Sequence, residues 1–118
     1  MEQPFGLVVR FALKQGAGDA FDRLTSETVE QIRAHEPGTL LYAAHRVESD
    51  PDVRLFYELY RDRAAFHDHE AQPHTRRFLA ERGRYLVSFD VDKLSVTIAK
   101  GIDEGEPPRD TRGQSAVS

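Results

Sequence analysis

Leu55-Phe56-Tyr57-Glu58-Leu59-Tyr60-Arg61-Asp62-Arg63-Ala64-Ala65-Phe66-His67-Asp68-His69, closed by Gln72-Pro73-His74 and Phe78, changes its periodicity partway along. Up to Tyr60 it is crowded with aromatic and aliphatic residues, as a strand is, and Asp62 then stands where it can cap a helix running to about Glu70. Phe56, Glu58 and Tyr60 are two apart and therefore share one strand face. An acid between two aromatics, followed by a helix that carries His69, is how a small fold builds a pocket.

Upstream, Thr39 to Val47 alternates Leu41, Ala43, His45 and Val47 against Leu40, Tyr42, Ala44 and Arg46. Only the polar break Ser49-Asp50-Pro51-Asp52 separates it from Val53 to Tyr60, which predicts an antiparallel hairpin. Further back, Phe5 to Leu13 is apolar or β-branched at nearly every position except Arg10, so both of its faces should be covered. Gly16-Ala17-Gly18 makes a turn, Asp19 is placed to cap the helix that follows, and Phe21, Leu24, Thr28, Ile32 and His35 recur at steps of three and four. Pro37-Gly38 ends that helix.

Downstream, Pro73 interrupts the second helix, and a further helical piece runs from His74 to about Arg82, with Gly83 suited to a left-handed end. Tyr85 to Phe89 leads into a last strand of roughly Val91 to Ala99. The order strand, helix, strand, strand, helix, strand predicts an α+β domain of ferredoxin-like, split βαβ type, with an antiparallel sheet and both helices on one face. Apolar residues at both parities of the strands would leave the other face bare, so a second copy packed face to face is expected, a homodimer.

The 118 residues, 39% hydrophobic and 31% charged, suit one compact domain. That domain should occupy 1–100, while 101–118, rich in Gly, Pro, Ser, Asp and Glu, has the composition of a disordered tail. The net charge is −4, and without that tail 14 basic residues face 16 acidic ones, so no footprint for nucleic acid or a membrane surface is visible. Absence of cysteine removes thiol nucleophiles, disulfides and thiolate metal sites, and is compatible with a reducing cytoplasm. Met1-Glu2-Gln3-Pro4 lacks the positive start of a secretory signal, and no apolar run approaches the roughly 20 residues of a membrane helix.

Glu36-Pro37-Gly38, Glu58-x-Tyr60, Asp62, Ala65-Phe66, His69 and Pro73-His74, in that order and spacing, give the chain a resemblance to a known family. From about Val8 to about Ile98 it resembles the antibiotic biosynthesis monooxygenases, small dimeric α+β barrels that include quinol and anthrone oxygenases. The resemblance implies oxidation of a polycyclic aromatic, anthrone or quinol-type substrate by molecular oxygen with no cofactor. In such chemistry the substrate supplies the electrons, and the protein favours its deprotonation and excludes water. Other members of this scaffold degrade haem, isomerise small metabolites or have no established activity, so the fold does not fix the reaction. Haem degraders use an asparagine on the first strand, where this chain has Val8, Val9 or Arg10, and a tryptophan near the position of His69.

Within this frame Glu58 is a candidate base, since desolvation between aromatics raises a carboxyl's pKa. His69, three residues after Phe66 on the same helical face, is the second candidate for proton transfer. Phe56, Tyr60 and Phe66 would hold the ring, with Tyr60 where relatives carry tryptophan or tyrosine against the substrate. Arg82 could stabilise an oxyanion, and His45 is in reserve because its strand face is undetermined. The ordinary readings stand beside these: aromatic core packing, Glu58 paired with an arginine, His69 bonded to backbone, arginines on solvated surface.

His67 and His69 differ by about 200° around a helix and cannot share an ion, so no metal site is expected. Gly16-Ala17-Gly18 lacks the third glycine of a dinucleotide fingerprint, and no serine sits in a Gly-x-Ser-x-Gly elbow. The rivals to an oxygenase are a non-catalytic dimeric module that binds a small hydrophobic metabolite and an oxygen-independent isomerase or cyclase.

Overall fold

The computed structural model describes residues 3–101, and the expected tail lies outside the described residues except for Gly101. Strand β1 (Phe5–Leu13) leads to helix α1 (Gly18–His35), then β2 (Thr39–Arg46) and β3 (Val53–Tyr60). Helices α2 (Arg63–Ala71) and α3 (Pro73–Glu81) follow, then a 3₁₀ turn (Arg82–Arg84) and β4 (Leu86–Ser95). The sheet order is β2-β3-β1-β4, antiparallel throughout, which is the ferredoxin-like arrangement.

The register decides which residues meet the helices. Val9 stands between Phe56 and Val91, Leu7 between Glu58 and Lys93, and Glu58 also opposes Tyr42 on β2. Phe5, Leu7, Val9, Phe11 and Leu13 are buried on this face, with Phe56 and Tyr60 beside them. Helix α1 lays Phe21, Leu24, Thr25, Thr28 and Ile32 onto it. The two threonines tolerate burial because their hydroxyls donate to Phe21 O and Leu24 O at 2.9 and 2.8 Å. Phe11, Phe21, Phe56 and Phe78 form the centre, with ring centroids 4.8–6.3 Å apart and tilted planes, the arrangement that ring quadrupoles favour.

Among the described residues, no helix covers the other face. Val8, Ala12, Leu55 and Tyr57 there are only part-buried, and Leu41 is 42% exposed. The demand that Phe5–Leu13 made on both faces is thus met by α1, α2 and α3 on one side alone.

Several boundaries differ from the sequence reading. α1 opens one residue before Asp19, which falls inside the first turn and caps nothing, its acid instead near the positive helix end. Asp62 does cap α2, accepting from the Ala65 N–H at 2.8 Å. Gly83 has no positive φ; the chain leaves α3 through a 3₁₀ turn closed by the Tyr85 N–H donating to Arg82 O at 3.0 Å. β4 begins at Leu86 rather than near Val91 and ends at Ser95, because β1 supplies a partner for each position from Leu13 down to Phe5. Pro73 takes the first position of α3, where its missing N–H costs nothing.

Gly38, just after α1, lies where a Cβ would be 2.7 Å from Ala65 Cβ on α2. Gly38→Ala should therefore destabilise the fold by about 1–3 kcal/mol through overpacking, measured by urea denaturation. Gly83→Ala, where a Cβ would meet nothing within 4 Å, is the control and should change stability by less than about 0.5 kcal/mol.

Candidate functional site

Between the helices and the sheet, beside the aromatic centre, lies a cavity of about 230 Å³. Leu7, Val9 and Phe11 give it an apolar floor, and Phe66, Phe78 and Leu79 roof it from α2 and α3. Tyr42, Glu58, His69 and Arg82 bring polar chemistry into it. Leu79 and Val91, 47% and 45% exposed, stand at its rim between α3 and β4.

Glu58 is 5% exposed and accepts the Tyr60 hydroxyl at 2.6 Å. Burial raises its pKa, the Tyr60 hydrogen bond and the nearby His69 working against that rise. Among the described residues, Glu58 forms no salt bridge with an arginine, and the Arg82 charge acts on it only at longer range. Tyr42 and Tyr60 are both held as neutral phenols, pushed up first by burial and then by the Glu58 charge.

Arg82 carries its guanidinium 4.4 Å from the Phe89 ring centroid and 5.8 Å from that of Phe11. Burial lowers its pKa, yet an arginine stays cationic in any folded protein. Among the described residues it forms no salt bridge, so its charge is available to an anion in the cavity.

His69 is 6% exposed and sits between the rings of Tyr42 and Tyr60, at centroid distances of 5.6 and 5.2 Å. Its Nδ1 lies 2.8 Å from Glu36 Oε1, and the Thr75 hydroxyl is 3.4 Å from the same nitrogen. Glu36 follows α1 and has a side chain only 3% exposed. It also accepts the Thr39 hydroxyl at 2.7 Å and a short hydrogen bond from His74 Nε2. Burial alone would raise its carboxyl, but the bonds from His69, Thr39 and His74 outweigh that and hold it at about 2.

The structure brings Glu58, His69, Phe66 and Arg82 together around one cavity. Phe56 and Tyr60 are not on its wall: they are 1% and 0% exposed, Phe56 packed among Phe11, Phe21 and Phe78, Tyr60 among Phe66 and His69. Sharing a face with Glu58 put them in the core because the helices close over both ends of that strand face. His45 lies on the uncovered side of the sheet, exposed, with Nδ1 3.0 Å from Leu55 O. His67 points outward beside Glu70.

Tyr42 and Glu36 were missed as site residues. An irregularity between Thr39 and Leu41 sets the register that turns Tyr42 toward the helices, and β2 alone does not announce it. His69 and His74 are five apart, about 140° around a continuous helix, so nothing in their spacing suggests one shared partner. The break at Gln72-Pro73 re-aims them. Among the described residues, no three His, Cys, Asp or Glu side chains are placed to share a metal ion.

The family model for antibiotic biosynthesis monooxygenase matches residues 4–81. No curated protein sequence matches the chain. The Pseudomonas aeruginosa protein PA3566 is similar at 26% identity, with a TM-score of 0.75 over 83% of this chain and 98% of that one. A Caulobacter crescentus structure ascribed to antibiotic biosynthesis monooxygenase is 19% identical, with a TM-score of 0.78 over 82% and 92%. A third, from Mycobacterium tuberculosis, is 24% identical, with a TM-score of 0.74 over 84% and 99%. At these identities the likeness establishes the fold.

The two buried acids have opposite pH signatures. Glu36, lowered to about 2 from an ordinary 4.5, contributes stability that is present above pH 4.5 and is lost as pH falls toward 2. Glu58, raised in the folded state, favours the fold at low pH and loses that contribution as pH rises through its folded value. Chemical denaturation across pH should therefore show Glu58→Gln gaining on the native chain as pH rises. Glu36→Gln should lose most against it near neutrality and least near pH 2.

Proposed function

The chain belongs to the antibiotic biosynthesis monooxygenase family, and on that premise we propose that it is a cofactor-independent monooxygenase of a small quinol- or anthrone-type aromatic. One observation carries the reading: an apolar cavity that holds a buried acid of raised pKa, a buried histidine and an unpaired arginine. A phenol or enol entering it loses its proton to His69 or Glu58, and Arg82 balances the resulting anion. Desolvation by Leu7, Val9 and Phe78 keeps that electron-rich anion from water while it passes an electron to oxygen. One oxygen atom enters the ring and the other leaves as water with the two hydrogens the substrate gives up.

The volume narrows the substrate. Pockets for drug-sized ligands span roughly 300–1,000 Å³, so about 230 Å³ favours, of the two classes, a quinol of one or two rings over the three fused rings of an anthrone. Phe66 and Tyr42 are the aromatic walls that such a ring would meet.

The reading includes a homodimer in the cytoplasm. Val8, Ala43, Leu55 and Tyr57 form an apolar centre on the uncovered sheet face, with Leu41 and Leu94 flanking it, and a second sheet is the cover that buries it. Tyr57→Glu, at the middle of that face, should convert a dimer to monomer in sedimentation, whereas a monomeric native chain would remove the dimer from the proposal.

Oxygen uptake by the metal-free protein with a panel of hydroquinones, naphthoquinols and anthrone tests the reaction. Turnover should exceed the buffer rate, and Glu58→Gln and His69→Asn should each lower it about 100-fold or more. Rates equal to buffer across the panel would remove the oxygenase, and conversion that continues without oxygen would select an isomerase or cyclase acting through the same residues.

A further inference from the structure

His69 has two ring nitrogens and only one is accounted for. Both of its polar contacts, Glu36 and Thr75, are at Nδ1, and among the described residues Nε2 has no hydrogen-bond partner. The side chain is 7% exposed and lines the cavity, so an unmatched nitrogen there awaits a ligand or a water. A neutral imidazole carries its proton on one nitrogen, and an ionised carboxylate can only accept. Facing Glu36, the proton must be on Nδ1, which leaves the Nε2 lone pair free on a ring that lines the cavity.

We propose that Glu36 is the positioning residue of the site: it fixes the tautomer and ring plane of His69 so that Nε2 is presented as a proton acceptor, with His74 and Thr39 anchoring the carboxylate. The proposal rests on the oxygenase reading only for its effect on turnover. Glu36 cannot swing, because donors reach it from β2 (Thr39), α2 (His69) and α3 (His74). The ring cannot turn edge over face freely between Tyr42 and Tyr60. When Nε2 takes a proton, the imidazolium already has its counter-charge 2.8 Å away.

The groups around the pair are few. Glu58, Tyr60 and Tyr42 face His69 from the sheet and Thr75 from α3, while Glu70 of its own helix, at the cavity rim, pairs outward with His67. His74 meets His35, whose ring centroid is 6.4 Å away in a near-parallel stack at the end of α1. Among the described residues, Glu36 is the one carboxylate hydrogen-bonded to both His69 and His74. His74 therefore has the same constraint as His69, with its proton on Nε2.

Nitrogen-15 NMR of the full chain, without substrate, tests this directly. His69 should show a protonated Nδ1 and an unprotonated Nε2, and His74 the reverse. In Glu36→Gln the amide has a single acceptor oxygen for two ring N–H groups, so one of the two histidines should change tautomer. With a quinol substrate, Glu36→Gln should cut kcat about 100-fold with KM within about threefold. Thr39→Val, which removes one anchor and keeps the charge, should show a smaller loss of the same kind.

An Nε2–H tautomer for His69 in the native chain would overturn the proposal. So would native tautomers and native kcat in a folded Glu36→Gln variant. Should that variant not fold, the native tautomer and Thr39→Val decide. A His69 tautomer as expected, in a protein that oxidises no quinol or anthrone, would remove the oxygenase reading and leave the Glu36–His69 pairing standing.

Discussion

A carboxylate taken out of water must be compensated where it sits, or it costs several kcal/mol. Glu36 is taken out almost completely, and the compensation comes from three separate elements. Much of the helix layer's placement follows from that one requirement. The end of α1 must approach α2 and α3 closely enough for two imidazoles to reach one acid, and Gly38 is where α2 comes within contact of the turn. Removing any donor leaves the same buried charge with fewer partners, so each loss weakens the hold on the carboxylate.

The apolar side of the ledger is arranged around it. Phe11, Phe21, Phe56 and Phe78 fill the middle of the helix-facing sheet surface, with the polar groups of the cavity to one side and the buried Arg54–Asp22 pair at the other end of β3. There the packing is left incomplete, and the unfilled volume has Glu58, His69 and Arg82 at its edge. Core and cavity use neighbouring residues of the same strands. On β3, Phe56 packs, Glu58 faces the space and Tyr60 packs again, its hydroxyl returned to Glu58.

Period-two and period-three-to-four patterns located every element in order, because a fold of this size shows its core through spacing. The hairpin of β2 and β3 was legible from Asp50-Pro51-Asp52, and the α2 cap from Asp62. Ends were less so: β4 starts five residues before Val91 because its length is set by β1, a non-local partner. The same limit applies to the site. Glu58, His69, Phe66 and Arg82 could be picked out by local chemistry, whereas the burial of Phe56 and Tyr60 depends on which helices close over them. Glu36 is 33 residues from His69 and 38 from His74, and no local pattern links residues that far apart.

The division of the second helical segment at Gln72-Pro73 has a structural corollary. His69 rides on α2, while Thr75, Phe78 and Leu79 ride on α3 and Arg82 follows directly after it, so His69 and most of the roof belong to different short rods. Glu36 ties the two rods to one anchor, since it holds His69 from α2 and His74 from α3, so α3 cannot move without disturbing the partner of His69. Any remodelling of specificity in this scaffold would therefore have to keep that one carboxylate within reach of both imidazoles.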